Sequence, residues 1–122
     1  MILEFDFQSE IPLYLQLRNQ IVLLISGGTL KPGDRLPTIR ALSDESGINM
    51  MTISKAYQLL KSQGYVITDR RSGTVVAARD PAALPGEASL RKLRLALAEL
   101  RLQGMDKEAI LDLCEDCLKE EE

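Results

Sequence analysis

A glycine set between two short amphipathic stretches limits this fold more than any other feature. Before Gly47 runs Thr38-Ile39-Arg40-Ala41-Leu42-Ser43-Asp44-Glu45-Ser46, and after it comes Asn49-Met50-Met51-Thr52-Ile53-Ser54-Lys55-Ala56-Tyr57-Gln58-Leu59-Leu60. Thr38 and Asn49 are each good N-caps, so the spacing predicts helices over 39–46 and roughly 50–63, with Gly47 turning one into the next. Helices this short are marginal alone and must share a core. Ile53, Ala56, Tyr57 and Leu60 recur at i, i+3, i+4, i+7 and mark the buried stripe of the second helix. Gly64 closes that helix. Two β-branched runs, Tyr65–Thr68 and Thr74–Ala78, then flank Asp69-Arg70-Arg71-Ser72-Gly73, a hairpin with glycine at its tip. Helix, turn, helix and basic hairpin in this order imply a winged helix-turn-helix.

The flanking segments complete the expectation. Residues 1–10 carry Ile2, Leu3, Phe5 and Phe7 and read as an arm with strand character. A first helix is expected from Pro12, with Leu13, Leu17, Ile21, Leu24 and Ile25 at helical spacing and Gly27-Gly28 as its stop. Pro32-Gly33 marks a turn. Beyond the hairpin, residues 80–86 hold two prolines and a glycine and read as a linker. Two further helices are expected, roughly 87–103 and 106–120, with Asp106 as the N-cap of the second. The fold class is therefore mainly α with a small β component (α+β). It places a winged domain over 1–79 and a two-helix appendage over 87–122.

Charge bears on the partner. The net charge is −3, but its distribution is uneven. Residues 1–79 hold nine Lys/Arg against seven Asp/Glu, and residues 80–122 hold six against eleven. This balance argues against coating nucleic acid indiscriminately and permits one small basic face. Histidine is absent, which removes the commonest general base and the commonest zinc ligand. No nucleophile–base pair or phosphate-cradling glycine loop is recognisable, so no enzymatic activity and no cofactor are expected. No apolar run approaches the ~20 residues that span a bilayer. The start has no basic segment leading into an apolar one, so the expected compartment is the cytoplasm.

With its stripe buried, the 50–63 helix leaves Met50, Met51, Ser54, Lys55 and Gln58 outside. Its N-terminus carries a positive dipole and unpaired N–H groups suited to phosphate. Asn49, Thr52 and Ser54 can bond phosphate or base edges, and Lys55 can reach phosphate or guanine. Arg40 on the preceding helix is within reach of the same major groove. Arg70 and Arg71 are placed for the adjacent minor groove, with Gly73 allowing close backbone approach. Double-stranded DNA is the partner these residues imply.

From Pro12 to Val76 the chain resembles the DNA-binding domain of GntR-type bacterial transcription regulators. The resemblance rests on Pro12-Leu13-Tyr14, the block Leu30-Lys31-Pro32-Gly33-Asp34-Arg35-Leu36-Pro37, Arg40, Asn49, Thr52, Lys55-Ala56-Tyr57 and Gly73. Each piece is weak alone and the set is specific. It covers over half the chain. The short tail resembles the YtrA-type subfamily, whose members are typically dimeric repressors. The resemblance implies a homodimer on a palindromic operator, with Arg40, the start of the 50–63 helix and the wing against DNA. The chain departs from the family pattern at Met50 and Met51, which can touch a thymine methyl but give no bidentate readout. It also departs at Ala41, where a glutamate often completes the capping box.

In the tail, Leu90, Leu93, Leu97 and Leu100 form one seam, Leu95 and Leu102 a second stripe, and Ile110, Leu111, Cys114 and Leu118 a third. A seam of this kind needs a partner, and DNA half-sites call for two-fold symmetry, so dimerisation is expected through Leu90, Leu93, Leu97, Leu100, Ile110, Leu111, Cys114 and Leu118. Packing onto its own N-terminal domain is the alternative. Glu120–Glu122 reads as a solvated end. Cys114 and Cys117 lie one turn apart on a helix, and a closed metal site needs more ligands than this pair supplies, so apolar packing is expected and no metal site. Two other readings stay open: a thiol- or metal-responsive sensor of the same fold, and a protein-interaction module without DNA binding. A small-molecule effector is possible, its identity not legible in the sequence.

Overall fold

The computed structural model describes residues 2–120; Met1, Glu121 and Glu122 lie outside the described residues, and so does most of the expected acidic end. The chain divides into two compact units, Met1–Arg79 and Asp80–Glu122.

The N-terminal unit holds α1 (Leu13–Ser26), α2 (Ile39–Ser46), α3 (Met50–Ser62), β1 (Val66–Asp69) and β2 (Gly73–Val76). Pro12 precedes α1 as its N-cap. Thr38 accepts a hydrogen bond from the Ala41 N–H at 3.1 Å, the half of a capping box that remains when Ala41 replaces an acid. Asn49 accepts one from the Met51 N–H at 2.7 Å. Between them Gly47 takes φ +75°, a conformation that costs a residue with a side chain roughly 1–2 kcal/mol. The core is the set these spacings select: Leu17, Ile21 and Ile25 from α1, Leu42 from α2, Ile53, Ala56, Tyr57 and Leu60 from α3. Val66 and Val76 close it from the hairpin.

The strands sit one residue nearer the tip than expected, β1 with the expected four residues and β2 with four rather than five. β1 and β2 pair antiparallel from Val66 with Val76 to Asp69 with Gly73, and Tyr65 joins only through its carbonyl, which accepts from the Ala77 N–H at 3.0 Å. A third segment rides on β2. The Leu36 N–H donates to the Thr74 carbonyl and the Val76 N–H to the Asp34 carbonyl, both at 2.8 Å, and Arg35 bridges Val75.

The arm is not a strand. The Gln16 and Gln20 carboxamides of α1 supply the donors and acceptors a neighbouring strand would have given. Asp6 N–H donates to Gln16 Oε1 at 2.9 Å and Glu4 N–H to Gln20 Oε1 at 2.8 Å. Gln16 and Gln20 return hydrogen bonds to the Asp6 and Glu4 carbonyls. Leu3 and Phe5 reach the core, while Ile2 and Phe7 stay exposed.

Tyr57 ties α3 to the turn before α2, its hydroxyl donating to the Pro37 carbonyl at 2.8 Å. Burial pushes its phenol up to about 12. The unfolded chain ionises this group near pH 10 and the folded chain does not, so its stabilising contribution is intact below pH 10 and is lost between about 10 and 12. An ultraviolet titration is expected to show one of the three tyrosines ionising late, and Tyr57→Phe is expected to abolish that late step. A titration identical in wild type and variant would contradict the placement.

The C-terminal unit is a helical hairpin of α4 (Glu87–Leu102) and α5 (Lys107–Glu120). Asp106 caps α5, its carboxylate accepting from the Ala109 N–H at 2.9 Å. No described residue of α4 is buried, and Ile110 is the buried residue of the hairpin. No helix of the described residues is long and apolar enough to cross a membrane.

Candidate nucleic-acid interface

The outer face of α3 follows from its inner one. With four residues committed to the core, the first turn presents Met50 and Met51, the latter 80% exposed. Thr52 and Ser54 are half-buried, and Lys55 and Gln58 are exposed. Arg40 projects from the first turn of α2 and is exposed.

The arginines of this unit, with Lys55, fall into two groups. Three are engaged within the fold. Arg18 donates to Gln63 Oε1 at 2.9 Å and to Asn19 Oδ1 at 3.0 Å, and lies 5.6 Å from the centre of the Tyr65 ring. Arg79 donates to the Ile25 carbonyl at 2.8 Å. Lys55 places its ammonium 4.0 Å from the centre of the Tyr14 ring, a cation–π contact that joins α3 to α1. The charge expected to reach phosphate or guanine is thus shared with an aromatic face. Arg35, Arg40, Arg70 and Arg71 have no ion pair, hydrogen bond or ring contact from their guanidinium groups among the described residues.

The wing tip is shaped locally. The Asp69 carboxylate accepts from the Arg71 N–H at 2.9 Å, and Gly73 turns the chain back at φ +75°. Arg70 and Arg71 stand exposed on the loop this makes. Arg71, Ser72 and Gly73 share a groove of about 390 Å³ with Arg35 and Thr38.

Arg35 is the residue the expected set omits. Its neighbours Asp34 and Leu36 pair with β2 through backbone alone, and a three-residue edge too short for alternation gives no sequence signal. Of the residues expected at a dimer contact, Ile110 is buried, Leu90, Leu97, Leu100 and Cys114 are half-buried, and Leu93, Leu111 and Leu118 are exposed. Leu95 and Leu102 are exposed as well. Cys114 and Cys117 are free thiols, and no group of three or more metal-ligating side chains occurs among the described residues.

A three-helix core, a helix presenting Met50, Met51, Lys55 and Gln58 beside a two-stranded wing, and arginines on α2 and the wing that are unpaired among the described residues define a winged helix-turn-helix protein. The model of the bacterial regulatory proteins of the gntR family matches residues 13–76, and the chain belongs to that family. It is 30% identical over 109 residues to the transcriptional regulator YhcF of Bacillus subtilis, covering 88% of this chain and 90% of that protein. To the repressor YtrA of the same organism it is 37% identical over 75 residues, 62% of this chain and 58% of YtrA. To the regulator YdcR of Escherichia coli it is 50% identical over 64 residues, 52% of this chain but only 14% of YdcR. The chain thus spans less than two thirds of YdcR and of YtrA.

Among solved structures, YtrA from Sulfolobus acidocaldarius, a GntR-family transcription factor, superposes with a TM-score of 0.60 and 33% identity over 97% of both chains. Its full-length match makes this chain a regulator of the YtrA type. The AraR DNA-binding domain, solved in complex with operator ORX1, matches 62% of this chain and 96% of that domain, with a TM-score of 0.55 and 34% identity.

Proposed function

We propose that this chain is a homodimeric repressor that acts in the cytoplasm by occupying a palindromic operator, binding DNA without catalysis. The observation that carries the reading is the split among the arginines: among the described residues the guanidinium groups of Arg35, Arg40, Arg70 and Arg71 have no partner, while those of Arg18 and Arg79 are consumed by internal hydrogen bonds. Arg40, Asn49, Met50, Met51, Thr52, Ser54 and Lys55 are assigned to the major groove or its rim. Arg70, Arg71 and Gly73 are assigned to the wing contact. The operator complex of AraR supports DNA as the partner, and the repressor YtrA of Bacillus subtilis supports the sign of regulation.

Dimerisation is assigned to the C-terminal hairpin. Part of its seam is exposed in a single copy: Leu93 is 51% and Leu111 58% exposed, along an open groove of about 740 Å³ between α4 and α5. Two half-sites read by two copies match this seam to its need. The double variant Leu93→Asp, Leu111→Asp is expected to sediment as a folded monomer. It is expected to bind a duplex, selected by the full chain from a random-sequence library, at least 100-fold more weakly, the avidity lost with one of two linked sites. A variant that stays dimeric and keeps its affinity would remove the hairpin from the assembly.

A further inference from the structure

We infer that Arg35, in the segment before α2, and Arg71, at the wing tip, close on the same backbone phosphate of a bound duplex, making Arg35 a DNA-contact residue. The inference rests on the DNA-binding reading above and deepens it at one site. The two residues line one groove, together with Thr38, Ser72 and Thr74. Among the described residues, no carboxylate lines the groove. The nearest acids in sequence are already engaged with backbone: Asp34 accepts from the Lys31 N–H at 2.8 Å and Asp69 from the Arg71 N–H at 2.9 Å.

The hydroxyls add donors. Thr38 Oγ1 uses an acceptor position on the Ala41 N–H, which leaves its proton to donate outward. Tyr57 also lines the groove, but its hydroxyl proton is spent on Pro37, so it offers no competing donor. Two forked guanidinium groups beside Thr38, Ser72 and Thr74, with no carboxylate in the lining among the described residues, suit an oxyanion with several acceptor oxygens, and the phosphodiester is the oxyanion a duplex presents.

Backbone pairing makes the two arginines one body. Arg35 bridges Val75, and Asp34 and Leu36 are hydrogen-bonded to Val76 and Thr74, so Arg35 is carried by the strand that returns from the wing tip. Closing on a phosphate therefore requires no independent loop to be ordered. The assignment also divides labour at the tip: Arg71 holds the backbone, and Arg70, which does not line this groove, is left for the minor groove.

Salt dependence separates one shared phosphate from two separate ones. The full chain and the variants Arg35→Gln, Arg71→Gln and the double variant are titrated with the selected duplex between 50 and 200 mM salt. Each single change is expected to weaken binding about tenfold per bound copy at fixed salt, about 100-fold for the dimer, the loss of one charge-assisted contact in each copy. It should leave the salt slope nearly unchanged, because the remaining arginine still neutralises the phosphate. The double variant should lower the slope by about 0.9 per bound copy. Both side chains are exposed, so thermal midpoints should match wild type. If each single change lowers the slope by about 0.9 per bound copy and the double by twice that, the arginines hold different phosphates and the shared site is wrong. If the wild type binds normally and Arg35→Gln is indistinguishable from it, Arg35 makes no contact. A wild type that binds no duplex in a salt-dependent way would overturn the DNA reading and this site together.

Discussion

Arg40→Ala is expected to weaken operator binding by the dimer about 30-fold to 10⁴-fold, since each copy loses a base contact of about 1–3 kcal/mol and the operator engages two copies. The cause is local. Arg40 leaves the first turn of α2 with no partner among the described residues, so truncating it removes no contact seen in the fold. Loss of discrimination should accompany loss of affinity. Arg40→Ala should flatten the preference at one position of each half-site, which a phosphate contact would not do. Lys55→Ala should differ, because that ammonium already rests on Tyr14. Its effect on affinity should be smaller, and part of it should appear as lower thermal stability. Competition binding against a set of single-base operator variants distinguishes the two patterns. Equal losses on every sequence for Arg40→Ala would move that residue from the bases to the backbone.

The second large effect falls on stability. Leu60→Ala is expected to cost the N-terminal unit about 2–5 kcal/mol, the range for emptying a fully buried leucine site. Leu60 has no exposed surface and sits among the α3 residues of the core that the hairpin closes with Val66 and Val76. A unit of this size has roughly 4–12 kcal/mol in total, so the variant should be close to half unfolded at modest temperature. The neighbouring Lys61→Ala, on the solvent side, should change stability by no more than about 0.5 kcal/mol. Thermal melts of the two variants followed by circular dichroism provide the comparison. A Leu60→Ala midpoint within a degree or two of Lys61→Ala would mean that α3 does not seat as described.

Much of this architecture was written in the spacing of apolar residues and caps. Thr38, Gly47 and Asn49 define α2 and the start of α3 because each does one local job that needs no tertiary context. The stripe Ile53, Ala56, Tyr57, Leu60 names its own buried face. The arm was misread for an equally physical reason. Apolar residues clustered in Ile2–Phe7 look like a strand, but the pairing partners are carboxamides sixteen and ten residues away, on a helix. Gln16 and Gln20 give no hint of that role in the sequence.

The interface was legible in part. Exposed residues of α3 and the wing follow from subtraction, once the core is known. Which cations remain free does not. Lys55 and Arg18 look as available as Arg40 until Tyr14, Tyr65 and Gln63 are brought beside them by packing. Arg35 was hidden by the opposite effect, a backbone pairing with β2 that no side-chain pattern announces.

The central claim is that two copies of the N-terminal unit present unpaired arginines to one duplex. Its most direct test is sedimentation equilibrium of the full chain with a selected 30-base-pair duplex and with a scrambled one, at physiological salt. The account predicts two copies per selected duplex and at least about 10³-fold weaker binding to the scrambled sequence. One copy per duplex, or equal affinity for both sequences, would contradict it.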